Sequence, residues 1–355
     1  MTLANPSLSL SDDGFQAWML EGVSRTFALT IPQLPPQLAP VVSNAYLLCR
    51  IIDTIEDEPG LAPALKRSFC DRFVRALSGH NGADRFADDL GRLLSDTTSP
   101  AVRELIREVP RVLRITDGFN PRQRQALRNC VITMAHGMVE FQEQNGPRGL
   151  KDCAEVDRYC YHVAGVVGEM LTELFCDYSE EIARHHATLM SLAVSFGQGL
   201  QMTNILKDVW EDLDQGACWL PRELFAELGF DLEKLDRKNT DERFRTGLIR
   251  LIAIAHGHLE QALRYTLLIP AHETGIRNFC LWAIGMAVLT LRKLGKNLDY
   301  HSAQDVKISR NAVRLTIVAS RLSATHDGII KWLFGLAARG IPLQTKTPLT
   351  TLRPS

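Results

Sequence analysis

Apolar positions recur at helical spacing along almost the whole chain. From Gly14, residues Phe15, Trp18, Met19 and Val23 mark the buried face of a first helix that ends at Ser24-Arg25-Thr26-Phe27. Pro32, Pro35, Pro36 and Pro40 interrupt, and a second helix is predicted from about Ala39 or Pro40 to Pro59-Gly60, with Tyr46 and Arg50 along it. Residues 61–130 alternate apolar and charged positions at a period near 3.6, with breaks at 96–100 and 117–121, and read as three amphipathic scaffold helices. Residues 122–144 give a further helix, stopped at Asn145-Gly146-Pro147. A long helix follows at 187–212 and ends between Gly216 and Pro221. A short one is expected from Pro221 to Leu228, then a polar connection over 231–243, then helices at 241–268, 271–295 and 302–322. An amphipathic piece, Ile329 to Leu336, precedes a Pro- and Thr-rich tail. No segment alternates in the manner of a strand bounded by hairpin turns, so the expected fold is all-α. No composition shift marks a linker. One domain is expected over 14–336, with a loose segment at 1–13 and a flexible tail at 337–355.

Two of these helices carry the same acidic spacing. Asp53-Thr-Ile-Glu56-Asp57 and Asp208-Val-Trp-Glu211-Asp212 both read D-x-x-E-D, and positions i, i+3 and i+4 lie on one helical face. Each stretch is thus expected to present three carboxylates as one cluster. Like charges so close repel, and a cation should sit among them. Oxygen ligands without Cys or His partners suit Mg²⁺ better than a transition metal. Either motif alone reads more simply as a charged outer face of its helix. Two matching motifs among apolar neighbours (Ile51, Ile52 and Ile55; Ile205, Leu206, Val209 and Trp210), each preceded by a base (Arg50, Lys207), favour a paired metal site. Their helices are expected to face each other across one central cavity, as in cofactor sites of helical bundles.

The 355 residues allow a large core, and a net charge of −1 gives no field directed at nucleic acid. Eight cysteines without a C-x-x-C pair, and an N-terminus lacking a basic region followed by an apolar core, point to reduced thiols in a cytosolic protein. The longest apolar run, Phe279 to Leu291, is too short to span a bilayer. Within Asp157-Arg-Tyr159-Cys-Tyr161-His162-Val-Ala-Gly165-Val-Val-Gly168, two glycines stand in a helical apolar run, where each costs up to about 1 kcal/mol relative to alanine. Tight helix packing and room for a bulky apolar ligand both explain them. Gly197-Gln-Gly199 is no nucleotide loop, because no strand precedes it.

Carboxylate-held Mg²⁺ at the mouth of an apolar helical cavity suits a substrate with a diphosphate head and a hydrocarbon tail. The metal would offset charge on a departing diphosphate, with Arg25, Arg50 and Lys207 assisting. An allylic carbocation would remain, and aromatic faces stabilise such a charge; Phe27, Tyr46, Tyr159 and Phe279 are the candidates.

These segments resemble the squalene and phytoene synthase family, most closely its eukaryotic-type squalene synthases. The matching stretches are Ser24 to Phe27, Tyr46 to Asp57, His136 to Phe141, Tyr159 to Gly168, Gln201 to Asp212, Arg277 to Cys280 and Val306 to Ile308, in the family's order. The resemblance implies a helical bundle of the class I isoprenoid synthase type and head-to-head condensation of two farnesyl diphosphates. Mg²⁺ is then held by Asp53, Glu56, Asp57, Asp208, Glu211 and Asp212. One diphosphate leaves, the second molecule's double bond attacks, and proton loss gives presqualene diphosphate, which squalene synthases ionise, rearrange and reduce with NADPH. By position, Tyr159 falls on a tyrosine tied to the first half-reaction and Phe279 on an aromatic tied to the second. Arg25, Tyr46, Arg50, Gln201 and Asn204 fall on positions lining the diphosphate and metal region.

For NADPH the resemblance points to Asn204, Lys207, Lys307 and Arg310, and the departures concern this cofactor. Lys207 replaces an arginine, Ala217 and Cys218 stand where a basic residue is frequent, and Ser309 takes the place of another; Arg310 or Arg314 would compensate. A synthase that omits the reduction and yields dehydrosqualene, or accepts longer diphosphates to yield phytoene, is the alternative. A non-catalytic prenyl-binding relative is a third reading, at odds with two intact acid motifs. The expected protein is a cytoplasmic monomer without a transmembrane helix, with peripheral membrane contact through Ile329 to Leu336 set against plain core packing.

Overall fold

The computed structural model describes residues 9–24, 26–79, 82–144, 146–237 and 241–342, with backbone only for 142–144. Among the described residues there is no strand, only an isolated parallel bridge between Leu150 and Pro221, and the fold is all-α. Contacts group the chain into two compact units, Met1–Gln142 with Glu173–Glu180, and Glu143–Thr172 with Glu181–Ser355.

In the first unit the acidic helix Ala39–Asp57 packs against Asp12–Val23, Pro63–Leu77, Pro100–Arg107 and Val109–Asp117. Its inner face is apolar, with Leu47, Leu48, Ile51, Ile52 and Ile55 buried. A buried polar hub fixes its rotation. Asn44 Nδ2 donates to Thr116 Oγ1 at 2.7 Å and to the Val112 carbonyl at 3.2 Å, while Gln16 Nε2 donates to Asn44 Oδ1 at 3.2 Å. Leaving such groups unpaired would be costly, so the hub selects one register.

Residues 61–130, expected to form three helices, hold four before Pro121 and the start of a fifth: Pro63–Leu77, Ala83–Gly91, Pro100–Arg107 and Val109–Asp117, then Pro121–Gln144. The extra breaks have local causes. Gly79 and Gly82 take positive φ of 86° and 131°, which ends one helix and precedes the next. At Glu108, ψ of 10° leaves the helical region just before Pro110, which sits at the start of the following helix.

In the second unit His186–Asp214 packs along Glu242–Leu268 and against a turn of π-helix, Tyr161–Gly165, that leads into Val166–Tyr178. The glycines explain the closeness. A Cβ at Gly168 would lie 2.2 Å from the Ala193 carbonyl oxygen, and one at Gly197 would lie 2.1 Å from that of Ala164. Of the two explanations left open by the sequence, tight helix packing is the one observed. Gly197→Ala is expected to lower stability by about 3 kcal/mol, the upper end for overpacking, because a backbone must move. Thermal denaturation measures it, and a melting temperature within a degree of wild type would reject the packing role.

Helix Thr274–Lys296 is long and apolar enough to cross a membrane by length and composition, more so than the run from Phe279 to Leu291 suggests; 67% of its apolar window is buried inside the protein, as in a core helix. Arg277 is buried within it and donates to the Ile269 carbonyl (2.8 Å), the Ala324 carbonyl (2.9 Å) and Asp327 Oδ1 (2.7 Å). None of the eight cysteines is in a disulfide.

Candidate active site

On Ala39–Asp57 the burial pattern leaves one stripe uncovered. Tyr46, Arg50, Asp53 and Glu56 are half-buried and Asp57 is exposed, whereas the residues between them face the core. The spacing 46, 50, 53, 57 follows one helical face. Burial, then the neighbouring Asp57, pushes the Asp53 carboxyl up to about 7, against the opposing pull of Arg50. Although its side chain reaches solvent, desolvation by the protein around it also raises Asp57, with Arg50 and Lys66 opposing. The nearby cations therefore fall short of what these carboxylates need. Arg50 Nε is buried without a hydrogen-bond partner. Phe27 covers the near end of the stripe, its ring centroid 4.7 Å from that of Tyr46. Arg25 lies outside the described residues.

Beyond the motif, Glu58 serves the fold. Burial raises it, but the Gly60 amide and Thr98 Oγ1 donate to its two oxygens at 3.1 and 2.9 Å, and hydrogen bonds from Gly60, Ser95 and Thr98 hold it below the usual range. Lys66, from the next helix, donates to the Glu56 carbonyl. Sequence spacing gives no sign of this cation, because ten residues and a turn separate the two.

The second acidic helix repeats the arrangement. Gln201, Lys207, Asp208, Glu211 and Asp212 are half-buried and Asn204 is exposed, while Met202, Thr203, Ile205, Leu206, Val209 and Trp210 are buried. Burial raises Asp208, although Lys207 Nζ stands 3.1 Å from Asp208 Oδ2. Tyr300 anchors this end: its hydroxyl donates to the Leu206 carbonyl, and its own carbonyl accepts from Trp210 Nε1 at 2.7 Å. Glu211 Oε1 accepts from the Ala303 amide at 2.8 Å, while its Oε2 is buried with no partner.

Spacing leads one to expect three carboxylates gathered on each helix. Among the described residues no three His, Cys, Asp or Glu side chains are grouped closely enough to hold a metal ion. Glu211 is engaged by the Ala303 amide and Asp208 by Lys207 instead.

Tyr159 is buried and stacks on Trp219, with ring centroids 3.9 Å apart and planes within 7°. It lies at the end of Cys153–Cys160, directly before the π-helical turn, a distortion frequent at functional sites. Tyr161 Oη donates to Glu169 Oε2 at 3.2 Å across that turn.

A squalene/phytoene synthase pattern matches residues 20–312, most of the chain. The chain belongs to the squalene/phytoene synthase family. It is a prenyltransferase. Squalene synthases of Candida albicans and Eremothecium gossypii are each 28% identical to this family member, over 321 and 315 residues, covering 88% of this chain and 68% of each relative. A solved structure of TcSQS with a bound ligand superposes with a TM-score of 0.70 at 25% identity, covering 93% of this chain and 98% of that one. A dehydrosqualene synthase structure shares the fold, with a TM-score of 0.55 at 20% identity.

In this synthase Phe279 is buried, next to Asn278, whose side-chain oxygen is buried without a partner. Lys307 and Arg310 are exposed. Two of the uncharged positions noted in the sequence have roles in the fold. Ser309 caps Arg310–Ser323, accepting from the Ala312 amide at 3.1 Å. Cys218 is buried, and burial pushes its thiol up to about 11, so this position faces the interior. A recess of about 610 Å³, lined by Arg148, Arg222, Phe230 and Asp231 among others, contains none of the candidate residues.

Proposed function

We propose that this enzyme is a squalene synthase that joins two farnesyl diphosphates head to head and reduces the product with NADPH. The observation that carries the reading is a shortage of positive charge: Asp53, Asp57 and Asp208 all have proton affinities raised by desolvation, on two helices that expose the same stripe. Hard oxygen donors in that condition fit Mg²⁺, and so does the unpartnered Glu211 Oε2. Asp53, Glu56, Asp57, Asp208, Glu211 and Asp212 would hold it. When bound, Mg²⁺ neutralises charge on the diphosphate oxygens as the C–O bond breaks.

The chain's own groups supply the rest. Arg50, with its unpaired Nε, and Lys207 bind diphosphate oxygens. Tyr159 offers its hydroxyl oxygen to the proton lost as the cyclopropane of presqualene diphosphate closes and passes its own proton to the departed diphosphate, the base that takes it up. Phe27, Tyr46 and Phe279 offer π faces to the carbocations, and burial around Phe279 excludes water. Gln201 and Asn204 extend the polar stripe toward the substrate heads.

Lys307 and Arg310 are exposed cations suited to the phosphates of NADPH, with Asn204 and Lys207 on the acidic helix; the bound cofactor supplies hydride. One observation favours a second reading, a dehydrosqualene synthase. Position 217 is uncharged, Cys218 faces the interior and Ser309 is engaged as a cap, so none of the three supplies a cation for the cofactor's phosphates. Incubation with farnesyl diphosphate and Mg²⁺, with and without NADPH, separates the two. Squalene only with NADPH supports the first, and dehydrosqualene in both supports the second. Geranylgeranyl diphosphate runs beside it, and phytoene as the sole product would overturn both.

Trp219 backs the tyrosine ring face to face, and fixing that ring is its proposed task. Trp219→Ala is expected to slow presqualene diphosphate formation by up to about a hundredfold, the scale of a small misplacement of a reacting group. Trp219→Phe should restore most of the rate. Single-turnover measurement of the intermediate checks this; a full rate in the alanine variant would dismiss the role.

A further inference from the structure

We propose that the face formed by helices Arg310–Ser323 and Asp327–Ala337 docks on an anionic lipid bilayer. Large apolar side chains point outward on both. Leu315, Val318 and Leu322 are 70%, 52% and 78% exposed, and Ile329, Trp332 and Leu336 are 46%, 63% and 37% exposed. Each set follows the i, i+3, i+7 spacing that normally marks a core stripe.

The most buried positions of the first helix are small hydroxyl residues, beside the half-buried Val313 and Ile317. Ser320 and Ser323 are buried, Thr316 lies close against Gly285, and all three hydroxyls donate to carbonyls of their own helix. Three large apolar residues of this helix are therefore left outside while its most buried positions are small and polar, the reverse of a helix that faces water. Grouped exposure of this kind marks an interaction surface, whereas scattered exposed residues do not.

Charge selects the occupant. Residues 306–342 contain Lys307, Arg310, Arg314, Arg321, Lys331 and Arg339 against one acid, Asp327, which is paired with Arg277 at 2.7 Å. Arg321 leans over the Trp282 ring at 5.3 Å and remains exposed. A cationic rim around apolar residues that include a tryptophan is the composition of a helix face lying in a lipid interface. A second copy meeting this face symmetrically would oppose two cationic rims. The chain's own residues 343–355 add Lys346 and Arg353 and no acid, so they offer no complement either.

The test uses the full chain with vesicles of phosphatidylcholine alone or mixed with phosphatidylglycerol, read by co-sedimentation. Binding needs no turnover, so its outcome is separate from the reaction proposed above. At least about tenfold stronger binding to the anionic vesicles, weakened by salt, is expected. A Leu315→Ser/Leu322→Ser/Trp332→Ser variant should lose that binding while keeping its melting temperature and its activity on micellar substrate. Arg314→Gln/Lys331→Gln should lose the preference for anionic lipid. Equal binding by wild type and the serine variant would overturn the proposal. So would a wild-type dimer that the serine variant turns into a monomer, or vesicle binding that appears only after residues 343–355 are removed.

Discussion

Asp53→Asn and Asp208→Asn are each expected to lower kcat by roughly a thousandfold or more, about 4 kcal/mol of transition-state stabilisation, with the fold intact. An amide has nearly the size of a carboxylate and is a poorer ligand for a hard cation. Stability separates this from structural damage. The Asp53 carboxyl is pushed up to about 7 from an ordinary 3.8, so the native state holds its proton more tightly than the unfolded chain does. Stability from this group is present below the unfolded value and falls as pH rises from about 4 toward 7. In a chelator, Asp53→Asn should therefore be at least as stable as wild type at pH 8, with the difference closing on acidification. Turnover close to wild type in both variants at limiting Mg²⁺ would reject the paired-metal assignment. A loss of activity that merely tracks a loss of folded protein would reject it as well.

The helices that carry these carboxylates were legible because local signals bracket them. Pro40 and Pro59 enclose the first, and Ala39–Asp57 is the observed span; Gly216 closes the second, observed at His186–Asp214. The two polar stripes were legible for the same reason, since a period of 3.6 sorts Asp53 from Ile52 and Asp208 from Val209 without any tertiary information. What escaped depends on contacts distant in sequence. The Asn44 hub joins residues 68 and 72 positions away, Tyr300 reaches Leu206 over 94, and Trp219 meets Tyr159 across an intervening long helix. A tryptophan just after the second acidic helix, in a stretch otherwise noted for its missing charges, was the available sign of the last. Gly165 and Gly168 showed that something approaches the backbone, but only the placement of Ala193 and Val194 shows that it is a neighbouring helix. The spread of the carboxylates was hidden because spacing fixes Cβ positions and says nothing about which local amide a long Glu211 side chain will choose.

The two aromatics assigned to different halves of the reaction should fail differently. Tyr159→Phe keeps the ring, and with it the stack on Trp219, and removes only the hydroxyl. Presqualene diphosphate should then fail to form, with the fold unchanged. Phe279→Ala removes a buried ring from the core helix Thr274–Lys296, and should let the intermediate form and stall its conversion to squalene. Withholding NADPH from the wild type should have the same consequence, with presqualene diphosphate or dehydrated products accumulating. If Phe279 were only core, its truncation would cost roughly 3 to 5 kcal/mol of stability and depress both steps together. The intermediate, the final hydrocarbon and the melting temperature are therefore measured on the same preparations. Accumulated intermediate per mole of folded Phe279→Ala protein is the deciding quantity. A value above wild type places the ring at the second carbocation, because a purely structural defect lowers the amount of active enzyme without changing where its reaction stops.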